Sequence, residues 1–239
     1  MLKVDLHTHT MFSQCGLHTH MEVLERAHKL GMTAVAITDH GPALHPRFSE
    51  PFYDRLHQPV SGVQLLKGME CNLVGESGEI DLPRKYLPYL DVVLLGIHFN
   101  TEKGLGKDRY TDMLLEAIRK NPMVDIITHA NDLAYPVDFE AVVSAAAEHG
   151  MAVELNNSKT LLKRVPDEVT RALVLAAKNN GCRMVVTSDM HALDELGRDD
   201  SVTTFLEETG FPRDRIISDT ADQTFKFVDE RRPLKKFFD

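Results

Sequence analysis

The chain has 239 residues, 43% of them hydrophobic, with 27 basic and 36 acidic side chains and a formal net charge of −9. That length and apolar content suit a single α/β domain spanning 1–239 around a substantial core. An acidic chain without a basic stripe excludes the usual long nucleic-acid binder, although local basic spots can still hold an anionic substrate.

No leader is expected at the N-terminus, because Lys3, Asp5 and His7 interrupt any apolar region there. Residues 3–6 instead read as a first buried strand ending in His7-Thr8-His9. Val23, Leu24 and Ala27 then repeat at helical spacing and are closed by Gly31. Residues 34–38 form a second strand that delivers Asp39-His40. A long loop over 41–59 follows, with room for a short helix. The third strand, 64–69, leads into Glu70, and the fourth, 92–97, into His98. After a polar loop over 100–109, Met113, Leu114, Ala117 and Ile118 mark a helix stopped by Asn121-Pro122. Residues 125–128 form a fifth strand before His129. Phe139, Val142, Val143, Ala146 and Ala147 give a helix ending near Gly150, and 151–155 a sixth strand. Val169, Ala172, Leu173, Ala176 and Ala177 give a helix ending near Gly181. The seventh strand, 183–188, runs into Asp189-Met190-His191. The charged tail 230–239 ends in Phe237-Phe238, and local packing or mobility is expected there ahead of an oligomer contact.

The alternation of strands and helices implies a mostly parallel sheet with helices outside. Continuous apolar strands fit a sheet covered on both faces. An open doubly wound sheet would concentrate its site at one switch point. Here a potential ligand follows nearly every strand, which favours a barrel whose strand ends share one face. No apolar stretch approaches the ~20 residues of a membrane helix. The cysteines Cys15, Cys71 and Cys182 form no C-x-x-C pair, so a reducing, cytoplasmic setting is expected.

Two residues apart on a strand face the same side, so His7 and His9 can reach one ion. Asp189 and His191 repeat that spacing. Glu70 reads either as a rim carboxylate or as a bridge whose two oxygens each hold one metal. His98, His129 and Asp39-His40 carry little weight singly. Together these groups are too many for one tetrahedral zinc, so two or three ions are expected. His28, His57 and His149 read as exposed; His18, His20 and His45 border the site. Neither a phosphate-cradling G-x-x-x-x-G-K-[ST] loop nor a G-x-S-x-G elbow is present.

The ordered set Asp5-Leu6-His7-Thr8-His9, Thr38-Asp39-His40-Gly41, Gly68-Met69-Glu70, Gly96-Ile97-His98, His129, Glu154-Leu155-Asn156-Asn157 and Ser188-Asp189-Met190-His191 resembles the PHP (polymerase and histidinol phosphatase) superfamily. It is most similar to the small stand-alone bacterial phosphatase branch with a trinuclear zinc site. The resemblance implies a distorted (β/α)7 barrel and a metal-dependent phosphoesterase in which a metal-bridging hydroxide attacks a small phosphate monoester. It implies one ion on His7, His9, Glu70 and Asp189, a second on Glu70, His98 and His129, and a third on His40, His191 and a loop histidine. At that loop position this chain has Cys15, which leads over His18, His20 or an empty third site. Zinc is the expected metal, with iron, manganese or cobalt as alternatives.

Asp39, His191 or a metal-bound water would protonate the leaving group. Asp5 and Glu154 would orient the imidazoles, and Asn156 would lie within reach of substrate. Arg47, Arg55, Lys103, Lys107, Arg109, Lys159 and Lys163 fall in loops on the side of the site, and none is assigned to phosphate. An amidohydrolase acting on C–N bonds and a non-catalytic, metal-stabilised accessory module are the competing functions. A homo-oligomer is left open.

Overall fold

The computed structural model describes residues 1–44 and 49–236. Seven strands hydrogen-bond in sequence order: β1 (Val4–Asp5), β2 (Ala34–Ile37), β3 (Gln64–Asn72), β4 (Val92–Gly96), β5 (Ile126–Ile127), β6 (Ala152–Asn156) and β7 (Arg183–Thr187). Every pairing is parallel, as in the registers Val4↔Ala34, Met69↔Val93 and Glu154↔Val185. Strands β1 and β7 do not pair directly. Beyond their ends Thr8 bridges Met190, and the His9 N–H donates to the Met190 carbonyl at 2.8 Å. The result is a nearly closed, distorted (β/α)7 barrel. Strands β1 and β5 are only two residues long.

The helices are α1 (His20–Lys29), α2 (Glu50–Arg55), α3 (Lys107–Lys120), α4 (Phe139–Glu148), α5 (Asn157–Leu161), α6 (Asp167–Asn179), α7 (Thr203–Thr209) and α8 (Ala221–Arg231). Thr19 and Glu22 form a reciprocal capping box on α1, and the Asp138 side chain accepts from the Ala141 N–H to start α4. The short helix expected within 41–59 is α2. The polar loop ends at Gly106, so α3 starts earlier than the sequence suggested. Helices α5, α7 and α8 were not anticipated. α5 follows β6 with no Gly or Pro between them, and α8 buries Phe227 and Val228, residue types that favour strands.

Val4, Leu6, Ala34, Leu66, Val92, Leu94, Ile126, Ala152 and Val185 belong to one buried cluster, which continues into Ile217, Phe227 and Val228. The C-terminal segment therefore closes the end of the barrel where the strands begin. Each fully buried Val, Leu, Ile or Phe side chain of this cluster contributes about 1.5–3 kcal/mol. The charged tail packs locally as expected: Arg231 and Lys235 both bind the buried Asp125 carboxylate, at 3.1 and 2.8 Å. His45, Arg47 and Phe237-Phe238 lie outside the described residues. No helix among the described residues is long and apolar enough to cross a membrane. With one end filled by apolar packing, the polar groups of the described residues gather at the carboxyl-terminal ends of the strands.

Candidate metal centre

The polar groups that follow the strands do converge. Past β1 the backbone stays extended, so Thr8 turns outward, where its hydroxyl donates to the Ala36 carbonyl at 2.6 Å. His7 and His9 turn inward, and their Nε2 atoms come within 3.0 Å of each other. His7 Nδ1 donates to Glu154 Oε1 at 2.6 Å, and His9 Nδ1 donates to Ser13 Oγ at 3.0 Å. Each ring therefore hydrogen-bonds away from the centre through Nδ1 and turns Nε2 into it. Asp189 Oδ1 lies 3.5 and 3.2 Å from these two nitrogens, and Glu70 Oε2 lies 3.3 and 3.4 Å from them.

Glu70, fully buried at the end of β3, faces two groups at once. Its Oε1 sits 3.1 Å from both His98 Nε2 and His129 Nε2, themselves 3.2 Å apart, and accepts from the Thr128 hydroxyl at 3.0 Å. Its Oε2 faces His7, His9 and His40 Nδ1, the last at 2.9 Å, yet accepts no well-formed hydrogen bond. Carboxylate oxygens and ring nitrogens crowded at about 3 Å in a dry interior are a costly arrangement unless protons or a cation lie between them. A cation removes that cost. The donor set, imidazole and carboxylate with one thiol nearby, suits divalent transition metals, and three mutually close groups arise: His7, His9 and Asp189; His40, Glu70 and His98; His9, Cys15 and His40.

Backbone features hold this arrangement. His129 and Asp189 adopt positive φ, 28° and 51°, a conformation that costs energy in non-glycine residues and gathers at functional sites. The His129 N–H is held by Glu154 Oε2 at 2.7 Å. Gly96 has to be glycine: a Cβ there would meet Thr128 Oγ1 at 2.5 Å, His98 Cε1 at 2.7 Å and His129 Cε1 at 2.8 Å.

Charge and burial act against each other in the metal-free centre. Burial disfavours the His7 cation, but the carboxylates of Glu70, Glu154 and Asp189 outweigh it and hold His7 well above the ordinary imidazole range. Burial likewise opposes protonation of His40, yet Glu70 and the Cys15 thiol raise it to about 10. His191 is raised to about 9 against its own desolvation, chiefly by Cys15 and Asp189. His9 falls to about 3 and His98 to about 4, both mainly through burial. Burial would raise the Glu70 carboxyl, but His7, His98 and His40 hold it well below the carboxylate range. Several nitrogens thus carry protons where an ion would otherwise sit.

Glu154 orients the imidazole of His7, as expected. Asp5 does not touch an imidazole; its carboxylate accepts from the backbone N–H groups of His7, Ser188 and Gly197 and ties β1 to the loop after β7. Asn156 is buried and not open to a substrate. Its amide donates at 3.0 Å to both Glu154 and Asp189, and its carbonyl oxygen caps α5. Asp39 also fails to open onto the centre. It is 1% exposed, and its oxygens accept from the N–H and hydroxyl groups of Thr10 and Ser13 at 2.6–3.2 Å. His191 is the most open of the imidazoles, with its side chain 34% exposed.

Of the bordering histidines, His18 and His20 are half-buried and outside the three groups. His28 and His57 are exposed, whereas His149 is half-buried because Nδ1 donates to the Ala145 carbonyl. Among the cations considered, Lys107 pairs with Asp138, Arg109 with Glu76 and Lys159 with Asp132. Sequence reasoning missed Ser13 and Thr128. A serine four residues after a histidine carries no signal until the turn at Met11–Ser13 brings the two together. Replacing Glu154 with glutamine is expected to weaken metal affinity about 10–100-fold while the fold survives, measured by competition with a chromophoric chelator.

The family profile described as the PHP domain matches residues 5–196. The chain belongs to the PHP domain family. This PHP chain is 35% identical over 236 residues to a protein of Caldanaerobacter subterraneus subsp. tengcongensis named a probable phosphatase, covering 97% of this chain and 92% of that one. It is 38% identical over 232 residues to a probable phosphatase of Shewanella sp. strain ANA-3, covering 95% and 92%. Its fold is shared by histidinol phosphate phosphatase from Lactococcus lactis, solved with zinc, L-histidinol and phosphate, at a TM-score of 0.62, with 16% identity and coverage of 87% and 94%. It is also shared by the metal-dependent tyrosine phosphatases of Bacillus subtilis and Streptococcus pneumoniae, at a TM-score of 0.54, with 14% identity and coverage of 98% and 94%.

Proposed function

We propose that this PHP protein is a metal-dependent phosphatase that hydrolyses a small phosphate monoester. The observation that carries the proposal is the set of imidazole ring nitrogens, from His7, His9, His98 and His129, gathered around the two oxygens of one buried carboxylate, Glu70. His7, His9, Asp189 and Glu70 would hold one divalent ion; Glu70, His98 and His129 would hold another. Zinc fits this donor set, and iron, manganese and cobalt fit it nearly as well. Bound ions would supply Lewis acidity toward the phosphoryl oxygens and a water ionised near neutral pH.

The chain's own residues do the rest. Glu70 fixes the spacing between the two halves. Glu154 and Ser13 keep the His7 and His9 tautomers with Nε2 inward. Asn156 steadies Asp189. His191, the most open of these imidazoles, would pass a proton to the departing alkoxide only while its Nε2 holds no ion; Asp39, saturated by Thr10 and Ser13, is turned away from the centre. Of the seven cations named above, Lys107, Arg109 and Lys159 are ion-paired with acidic neighbours, and bound metals would carry much of the charge of a phosphoryl group. A centre whose carboxylates and inner imidazoles are almost fully buried suits a narrow monoester better than a polymer. Glu70 would supply the bridging carboxylate for which amidohydrolases use a carboxylated lysine, which favours phosphoester over C–N chemistry.

The test is phosphate release from a panel of monoesters, run beside amides and lactones, with protein stripped by chelator and then reloaded. Loss of turnover on stripping and recovery with zinc, cobalt or manganese is expected for the phosphoesters alone. Binding should also expel protons. His7, His40 and His191 are held protonated at neutral pH in the metal-free protein, so affinity should fall as pH falls. Titration calorimetry with zinc in two buffers of different ionisation enthalpy would show this as a buffer-dependent heat; equal heats would count against it.

A further inference from the structure

Resting on the phosphatase reading above, we infer that a separate cavity on the metal-bearing face, beside the C-terminal end of α5, binds a second acidic group carried by the alcohol half of the substrate. The cavity has a volume of about 500 Å³, and Leu133, Thr160, Lys163, Arg164, Val165 and Pro166 line it. Its walls leave the carboxyl ends of two neighbouring strands. Leu133 lies in the loop after β5, four residues past His129, and the adjacent Asp132 N–H donates to the His129 carbonyl at 2.9 Å. Thr160 lies in α5, which follows β6 directly. It stands one turn past Asn156, whose side chain caps the helix and donates to Asp189 at 3.0 Å. At 1.5 Å of rise per residue, α5 carries the chain only about 6 Å from Asn156 to Thr160. The cavity and the centre are therefore neighbours on one rim.

The end of α5 places the two cations. Lys163 N–H donates to the Thr160 carbonyl at 3.0 Å and Arg164 N–H to the Lys159 carbonyl at 2.9 Å. This closure needs a left-handed residue at position 163, where glycine is usual, and Lys163 adopts it with φ 51°. A lysine there gives up backbone stability, which fits a side chain kept for its charge. Lys159, nearby in the same helix, is spent on Asp132 at 2.7 Å, whereas neither Lys163 nor Arg164 forms an ion pair among the described residues. Against these two cations the lining holds one carboxylate, Asp167, so the cavity is net positive in a chain of net charge −9. The Thr160 hydroxyl, independently, is buried without a hydrogen-bond partner, an uncompensated donor and acceptor in the wall. Leu133, 52% exposed, adds an apolar surface beside the charges. An anion on a short apolar body uses all of these features together. The substrate class is a phosphomonoester whose alcohol half ends in a carboxylate or a second phosphate; a plain alkyl or sugar phosphate leaves the cavity unused.

Three probes of matched length separate these cases: the monophosphate of propane-1,3-diol, its bisphosphate, and the phosphate ester of 3-hydroxypropionate. Phosphate release from each should be followed with the zinc-loaded full chain, its Lys163→Gly and Arg164→Gln variants, and the double variant. Lys163→Gly keeps the left-handed turn while removing the charge, and thermal midpoints check that each variant is folded. Two exposed charge-assisted contacts are worth on the order of tenfold, so the wild type should show KM about tenfold lower for the two diacid probes than for the diol monophosphate. Added salt should narrow that gap. In the double variant the three KM values should converge. The diacid with the lower KM tells whether carboxylate or phosphate is the preferred group. Equal KM for all three probes in the wild type, or a diacid preference that survives in the double variant, overturns the inference and leaves the phosphatase reading standing. No phosphate release from these probes or from any other monoester overturns that reading and the inference with it.

Discussion

Glu70→Gln is expected to lower phosphatase turnover by at least about 10³-fold and to lower bound metal together with it. The substitution keeps the size and shape of the side chain but removes the negative charge that both halves of the centre share. Oε1 faces His98 and His129 at 3.1 Å, and Oε2 faces His7, His9 and His40 between 2.9 and 3.4 Å. An amide presents one weak acceptor and one N–H donor in place of two anionic oxygens, so one side would meet a donor where a cation belongs. Losing several kcal/mol of transition-state stabilisation corresponds to about a thousandfold or more in rate. Elemental analysis and steady-state kinetics on the same preparation check both parts. A variant that keeps its metal and most of its turnover would remove Glu70 from the bridging role. Unfolding is not the expected cause, because the barrel's interior cluster is apolar and does not include Glu70.

The second large effect lies at the opposite end of the barrel and concerns stability alone. Asp125, just before β5, is 1% exposed. One oxygen receives Arg231 Nε at 3.1 Å and Lys235 Nζ at 3.0 Å; the other receives Lys235 at 2.8 Å and the Val93 N–H at 2.8 Å. Arg231 spends its remaining donors on the carbonyls of Pro122, Val124 and His149. Asp125→Asn leaves a buried arginine and a buried lysine without a counter-charge, and breaking a buried pair in this way costs about 3–5 kcal/mol. In a domain of this size that is a fall in Tm on the order of 6–20 °C. Metal binding at the far face should be unchanged in the folded protein. Restoring apolar character by Lys235→Met in the Asp125→Asn background should recover part of the loss, since one stranded charge disappears. Thermal unfolding of the wild type and both variants decides the matter; equal midpoints would show that the network contributes nothing.

The centre was legible in the sequence to an unusual extent for residues so far apart. Each of the segments ending in His7-Thr8-His9, Asp39-His40, Glu70, His98, His129 and Asp189-Met190-His191 is a short apolar run that breaks off at a polar group. Parallel strands in sequence order bring such breaks to one rim. The members that orient others were read less well. Glu154 was placed correctly because it lies within β6, facing the interior. Asp5, Asn156 and Asp39 are equally polar and equally near, but their directions depend on which backbone N–H groups or side chains reach them first. Asp39 was expected at the chemistry and instead braces the turn at Met11–Ser13; Asn156 was expected at the substrate and instead spans Glu154 and Asp189.

Sequence alone determined the order of strands, their parallel sense and the set of residues that meet, because periodicity and chain connectivity are local properties. Tertiary structure decided which oxygen of Glu70 faces which imidazole, how Asp39 braces the turn at Met11–Ser13, and that the C-terminal helix plugs the barrel through Phe227 and the Asp125 pair. Those outcomes depend on distances between residues tens to more than a hundred positions apart, set by close packing that no local pattern encodes.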